Sequence, residues 1–168
     1  MELKLKTISP GGIPEALSLA VLYRNLNEPG EAESICRDVL AVDSSNQMAL
    51  RLLGLCITDQ FTGDSTDRWA EAEPIMKSLK NPYERLYYTG IVNERRAKAQ
   101  LRAGRAPHTL VVLFEEAMRC FEAAEKIRPE GNDDSILRWN RCVRLLNELE
   151  PHRHEEAASF DASDSPPV

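Results

Sequence analysis

Residues 16–23, ALSLAVLY, and residues 50–57, LRLLGLCI, decide how this chain is read. Aligned, they become Ala16-x2-Leu19-Ala20-x2-Tyr23 over Leu50-x2-Leu53-Gly54-x2-Ile57, the same order of apolar, leucine, tiny and bulky positions 34 residues apart. Steps of three and four place those positions on one side of an α-helix. A tiny residue on that side lets a second helix approach closely. A third copy, Leu86-x2-Thr89-Gly90, keeps the tiny residue in register. A pattern that returns at a fixed spacing predicts stacked copies of one helical unit.

Working outward, helical spacing runs from Ile13 to Leu26 and is broken by Asn27-Glu-Pro-Gly30, with Pro29 suited to the first turn of the next helix. That second helix, Glu31 to Val42, carries Ala32, Ile35, Cys36, Val39 and Leu40 on one side. Asp43-Ser-Ser-Asn46 offers N-caps to a third, Gln47 to about Gln60. After the insertion Thr62-Gly-Asp-Ser-Thr-Asp67 come a helix from about Arg68 to Lys80, in which Pro74 is tolerable only near the start, and a long one from Pro82 to about Ala103. The loop Gly104-Arg-Ala-Pro-His108 leads to a helix ending before Pro129, and a final helix spans about Ser135 to Leu149. Connections this short make successive helices antiparallel neighbours.

The sixth helix holds Ala117-x3-Phe121-x2-Ala124-x4-Pro129: small, aromatic, small, then a helix-ending proline. With the 34-residue offset and the three small-residue registers, residues 13–149 resemble the tetratricopeptide-repeat (TPR) family, whose period is ~34 residues. The resemblance implies an all-α, right-handed superhelix of three helix-turn-helix repeats plus a C-terminal capping helix. It also implies a concave groove, lined by the first helix of each repeat, that holds a peptide or partner helix. By register the groove residues are Leu17, Val21 and Arg24, then Arg51, Leu55 and Thr58, then Tyr87, Ile91 and Glu94. Family members that grip chaperone carboxylates use Lys and Asn where this chain has Leu17 and Val21, so that activity is not expected. Ser44 replaces the usual proline and Cys36 the usual aromatic, which marks a divergent array. Tyr87 and Tyr88 are adjacent and so point to different sides, one expected to pack and the other to be freer for a ligand.

Three segments follow: a leader (1–12), the helical-repeat domain (13–149) and an acidic tail (150–168) too poor in hydrophobic residues to be expected to fold. The formal net charge of −6 disfavours nucleic acid, whose phosphates demand a cationic partner. No apolar run approaches the ~18 residues of a membrane span, and the charged N-terminus is too short for a signal peptide. A cytoplasmic protein is the expectation. Cys36, Cys56, Cys120 and Cys142 all lie within apolar helical stretches with no CxxC pair, as buried reduced thiols do. His108, in a loop, and His152-x-His154, in the tail, have no partner ligands or nucleophile in reach, and the common nucleotide, phosphate and zinc motifs are absent. No cofactor, no metal and no enzymatic activity are expected.

Two basic stripes stand out. Arg95, Lys98, Arg102 and Arg105 share one side of the long helix, and Arg138, Arg141 and Arg144 recur on the last one. Each is either a solvated face or a surface for an anionic ligand. The expected function is a non-catalytic protein-interaction scaffold or adaptor. The alternatives are a regulatory or RNA-associated repeat protein using the stripes, and a self-associating module.

Overall fold

The computed structural model describes residues 3–162, with side chains for residues 3–149. After a 3-10 turn at Pro10–Gly12 come α1 (Ile13–Asn25), α2 (Pro29–Val42), α3 (Gln47–Asp59), α4 (Trp69–Lys77), α5 (Pro82–Arg102), α6 (Pro107–Glu125) and α7 (Asp134–Ala162). No strand occurs among the described residues, so the fold is all-α. None of the described helices is long and apolar enough to cross a membrane.

The helix ends follow local chemistry. Asn27 adopts a left-handed φ of 61°, which Asn tolerates better than most residues, and the Glu28 amide closes the turn onto the Tyr23 carbonyl at 2.9 Å. Asn46 caps α3 by accepting from the Ala49 amide at 3.0 Å, and Asn81 caps α5 by accepting from Glu84 at 3.2 Å. Prolines open α2, α5 and α6, where a missing N–H costs nothing. Pro74 is the sixth residue of α4, just past the first turn, and this helix is short.

Each helix packs on the next in chain order, and α3 also touches α1 and α5. The odd-numbered helices α1, α3 and α5 therefore lie side by side, with α2 and α4 packed beside them. Because α3 has neighbours on four sides, every residue from Leu52 to Thr58 is buried; α5 shows the same pattern from Thr89 to Glu94. The small-residue registers explain how the helices come so close. A Cβ on Gly54 would sit 2.5 Å from Met76 Cε on α4, and one on Gly90 would sit 2.6 Å from Phe121 Cε1 on α6. The same contact is thus made in two successive helix pairs. Ala117, Phe121 and Ala124 are fully buried on α6, as their spacing requires.

The first copy differs in one respect. Leu53 and Thr89 are buried, whereas their counterpart Leu19 is 41% exposed and shares an open face with Leu22 of α1 and Leu26 just past its end. Nothing among the described residues packs outside α1 on that side. At the other end, α7 begins at Asp134 and does not stop at Leu149: it continues through Pro151 to Ala162. Residues 150–162, read from sequence as part of an unfolded tail, are therefore helical, and 163–168 lie outside the described residues.

Candidate functional site

The nine groove positions are placed as follows. Leu17, Leu55, Thr58, Ile91 and Glu94 are buried, and Val21, Arg24, Arg51 and Tyr87 are half-buried. The apolar members are mostly committed to packing between helices. Arg51 donates to Glu84 at 2.6 Å and lies 5.9 Å over the Tyr88 ring. Neither tyrosine of the adjacent pair stands free. Tyr87 stacks on Tyr83 at 5.7 Å, meets Tyr88 edge-on at 5.1 Å and leans on Phe121 at 5.9 Å, so both join one aromatic cluster beside the core. Two neighbouring side chains on one helix reach the same cluster because large rings bridge faces that Cβ directions alone would separate.

What remains accessible beside these positions is charged. The C-terminal turn of α3, the second half of α5 and the first turns of α7 border a half-open polar recess of about 260 Å³ lined by Thr58, Asp59, Arg95, Lys98, Arg102 and Arg138. Three of the four residues of the α5 stripe line it. Arg105 does not, and of the second stripe only Arg138 enters; Arg141 turns instead toward Glu148 at 3.5 Å.

Two carboxylates hold the cations in place. Asp59 accepts from Arg24 Nε at 2.6 Å and Nη2 at 3.3 Å, and also pairs with Arg95. Arg95 Nη1 donates further to Thr58 Oγ1 at 2.6 Å and to the Leu55 carbonyl at 3.3 Å. Glu94 has no exposed surface; it pairs with Lys98 one turn along α5 and with Arg138 of α7 at 3.4 Å. Arg102 is exposed and forms no ion pair among the described residues. Burial holds the Arg95 guanidinium below its ordinary range, and Arg24 and Arg138 nearby push the same way against the pull of Asp59. Burial also opposes the charge on Arg138, but Glu94 and Tyr87 outweigh it and raise that guanidinium. Around the recess, then, five cations face two carboxylates in a chain whose net charge is −6.

No family model, curated protein or solved structure matches this chain.

A second polar cluster ties the first two helix pairs together. Glu33 on α2, only 8% exposed, accepts both oxygens' worth of a fork from Arg68 at 2.7 Å each, two bonds from Arg37 at 2.7 and 3.0 Å, and one from Gln60 at 2.7 Å. Its carboxyl is held at about 2, chiefly by the Arg68 bonds, against burial and with help from Arg37 and Gln60. With every oxygen engaged it is a joint between α2, α3 and α4, not a reactive acid.

The thiols are equally occupied. Cys36 and Cys56 meet across α2 and α3, and that contact lowers Cys56 while, together with burial, it pushes Cys36 up; burial also raises Cys120, and takes Cys142 up to about 12. Thiols raised in this way, Cys36, Cys120 and Cys142, are poor nucleophiles, and Cys56 is buried against Cys36. Two further hollows, of about 270 and 330 Å³, lie between α6 and α7 and contain none of the sequence-predicted site residues. The stripes were visible in the sequence and Glu94 was named by groove register, but Asp59, which pairs with both Arg24 and Arg95, carried no local signal.

Proposed function

We propose that this chain is a non-catalytic protein-interaction module of TPR-like build, three helix pairs and a capping helix in a right-handed superhelix. Its odd-helix face receives an acidic, extended segment of a protein partner. The architectural part is supported by the 34-residue offset and by the repeated glycine-to-bulky contact in two successive pairs. The functional part rests on one observation: the accessible surface beside the expected groove is a recess with an excess of fixed positive charge. Charge of one sign held in a cleft attracts and orients partners of the other sign.

The test is fluorescence anisotropy with a labelled acidic octapeptide. Binding is expected at roughly 0.01 M salt, where charges are felt over ~30 Å, and weakening is expected at about 0.15 M, where that range shrinks to ~8 Å. No binding at the lower salt refutes the reading. Stronger binding by a single-stranded RNA of equal charge moves the assignment to the RNA-associated alternative.

A second reading, self-association, has its own observation in the exposed leucines on α1 and just past its end. Leu19, Leu22 and Leu26 are 41%, 50% and 58% exposed at the open end of the array, and residues 3–9 do not cover them. The end of a helical stack is normally polar or capped. Light scattering is expected to give a mass that rises with concentration and stays at one chain in Leu22→Asp; a constant mass for the parent protein removes this reading.

A further inference from the structure

We infer that the recess between α3, α5 and α7 is a phosphate subsite, taking one compact phosphoryl dianion among the head groups of Arg95, Lys98, Arg102 and Arg138. The inference rests on the reading of this face as a binding surface and names the chemistry of what it binds. The phosphoryl group is carried either on a phosphorylated side chain of a partner or on a free phosphate ester.

Charge comes first. Arg95, Lys98, Arg102 and Arg138 line the recess with Asp59; Arg24 and Glu94 pair with lining residues from beside it, and among the described residues these five cations meet no carboxylate but Asp59 and Glu94. The C-terminus of α3 adds about half a negative charge, which still leaves more than two positive charges uncompensated. One carboxylate supplies a single charge and two oxygens. A phosphate monoester supplies close to two charges and three strong acceptor oxygens from one tetrahedral centre.

Size and donor geometry agree. At about 260 Å³ the recess is smaller than the ~300 Å³ at which whole small-molecule pockets begin, so it suits a single group with the rest of the ligand outside. The contacts of Arg95 with Asp59 and of Arg138 with Glu94 each use Nη1. A guanidinium has five N–H donors in a rigid fork, so both retain donors for an incoming oxyanion. Among the described residues Arg102 has its whole fork uncommitted. The cations are also held before any ligand arrives: Lys98 and Arg138 by a fully buried Glu94, Arg95 by Thr58 and Asp59. Finally, the cations converge. A nucleic-acid track would continue along the stripes, but Arg105 lies outside the recess and Arg141 turns to Glu148.

Calorimetry on the full chain tests this with four probes: inorganic phosphate, sulfate, a phosphoserine peptide, and the same peptide with glutamate at that position. The phosphopeptide is expected to bind at least roughly tenfold more tightly than its glutamate counterpart. Arg102→Glu is expected to weaken phosphate and phosphopeptide by about tenfold or more, the loss of one charge-assisted contact. Arg102 is exposed and unpaired, so an unchanged melting curve confirms that the variant folds. Arg102→Lys, which keeps the charge but not the fork, falls between.

Acidity gives an independent readout. Below about pH 6 a phosphoserine loses its second charge. Among the described residues the recess is lined by Asp59, Arg95, Lys98, Arg102 and Arg138, with Arg24, Glu94, Tyr87 and Cys142 acting on those cations from beside it; no histidine is among them, and Cys142 is pushed up to about 12. Phosphopeptide affinity should therefore fall severalfold between about pH 7.5 and pH 5, with sulfate unchanged. Inorganic phosphate binding without gain from the peptide supports the subsite with a free phosphate ester as its source, and counts against the protein-partner reading. Equal binding of the glutamate peptide overturns the subsite and leaves the interaction module standing. Phosphate binding indifferent to Arg102→Glu, or absent, overturns the subsite as well.

Discussion

Glu33→Gln should destabilise the protein at neutral pH and matter less and less as the pH falls. Glu33 joins α2 to the end of α3 and the start of α4 through Arg68, Arg37 and Gln60. Glutamine keeps the shape but cannot pair with two guanidiniums, so Arg68 loses its bidentate partner. Folding lowers the Glu33 carboxyl from 4.5 to about 2. At ~1.36 kcal/mol per pH unit that corresponds to at most about 3.4 kcal/mol of linked stability. The Arg68 and Arg37 side chains are 38% and 47% exposed, so solvent screening reduces the net figure to roughly 1–2 kcal/mol.

Because the folded-state value lies below the unfolded one, this stability is complete above about pH 4.5 and is lost as the pH drops toward 2. At pH 3 roughly two-fifths of it should remain. For a chain of this length, 1 kcal/mol moves the melting temperature by about 2–4 °C. Thermal melts followed by circular dichroism should therefore place Glu33→Gln about 2–8 °C below the parent at pH 7, with the gap less than half as large at pH 3. A double cycle with Arg68→Met should return a coupling of the order of 1 kcal/mol. A melting gap that is the same at both pH values would show that the ionised Glu33 is not what joins these helices.

Two further predictions concern packing. Gly90→Ala should cost roughly 1–3 kcal/mol, because its Cβ would meet the packed ring of Phe121 and, at 3.1 Å, the Cβ of Cys120. Gly54→Ala meets only the flexible tip of Met76 and gains up to ~1 kcal/mol of helix propensity, so it should be close to neutral. Denaturant unfolding ranks the two; the reverse order, or no partial rescue of Gly90→Ala by Phe121→Leu, refutes the close-approach argument. Arg96 lies 3.8 Å over the Trp69 ring, so Arg96→Gln and Trp69→Leu should couple by about 0.5–2 kcal/mol in the same assay. Strictly additive losses exclude that contact as a stabilising one.

Helix positions were legible because they depend on residues three and four apart, and the caps on residues still closer. The members of the charged site other than Asp59 were legible too, but their convergence was not, because the pairings that gather them are remote. Arg24 reaches Asp59 over 35 residues, Arg95 reaches the same carboxylate over 36, and Arg138 reaches Glu94 over 44. Yet most of the cross-helix ion pairs obey a spacing that the sequence contains. Glu33–Arg68 is separated by 35 residues, Arg37–Glu71 by 34 and Arg51–Glu84 by 33, close to the 34-residue offset between the first two copies. When like units stack, a residue comes to lie beside its counterpart one unit on, so opposite charges one period apart become neighbours. Read that way, the offset that identified the repeat also pairs Arg24 with Asp59 and removes Arg24 from any list of free ligand-binding groups.

The exception is informative. Arg138 lies 44 residues from Glu94 because α5 is extended to Arg102 and the loop before α6 adds more chain, which lengthens the third unit. That extension carries Lys98 and Arg102, and among the described residues neither pairs with a carboxylate of an earlier helix. Among the described residues Glu94 alone balances Lys98 and Arg138, and Arg102 has no ion pair. The excess positive charge of the recess thus sits where the chain departs from the 34-residue spacing. Shortening α5 by one turn across Arg102, which withdraws a cation and restores a more regular period, should abolish anion binding while the first two helix pairs keep their ion pairs. Retained anion affinity in such a deletion, measured by the same calorimetry, would disconnect the site from the irregularity at which it sits.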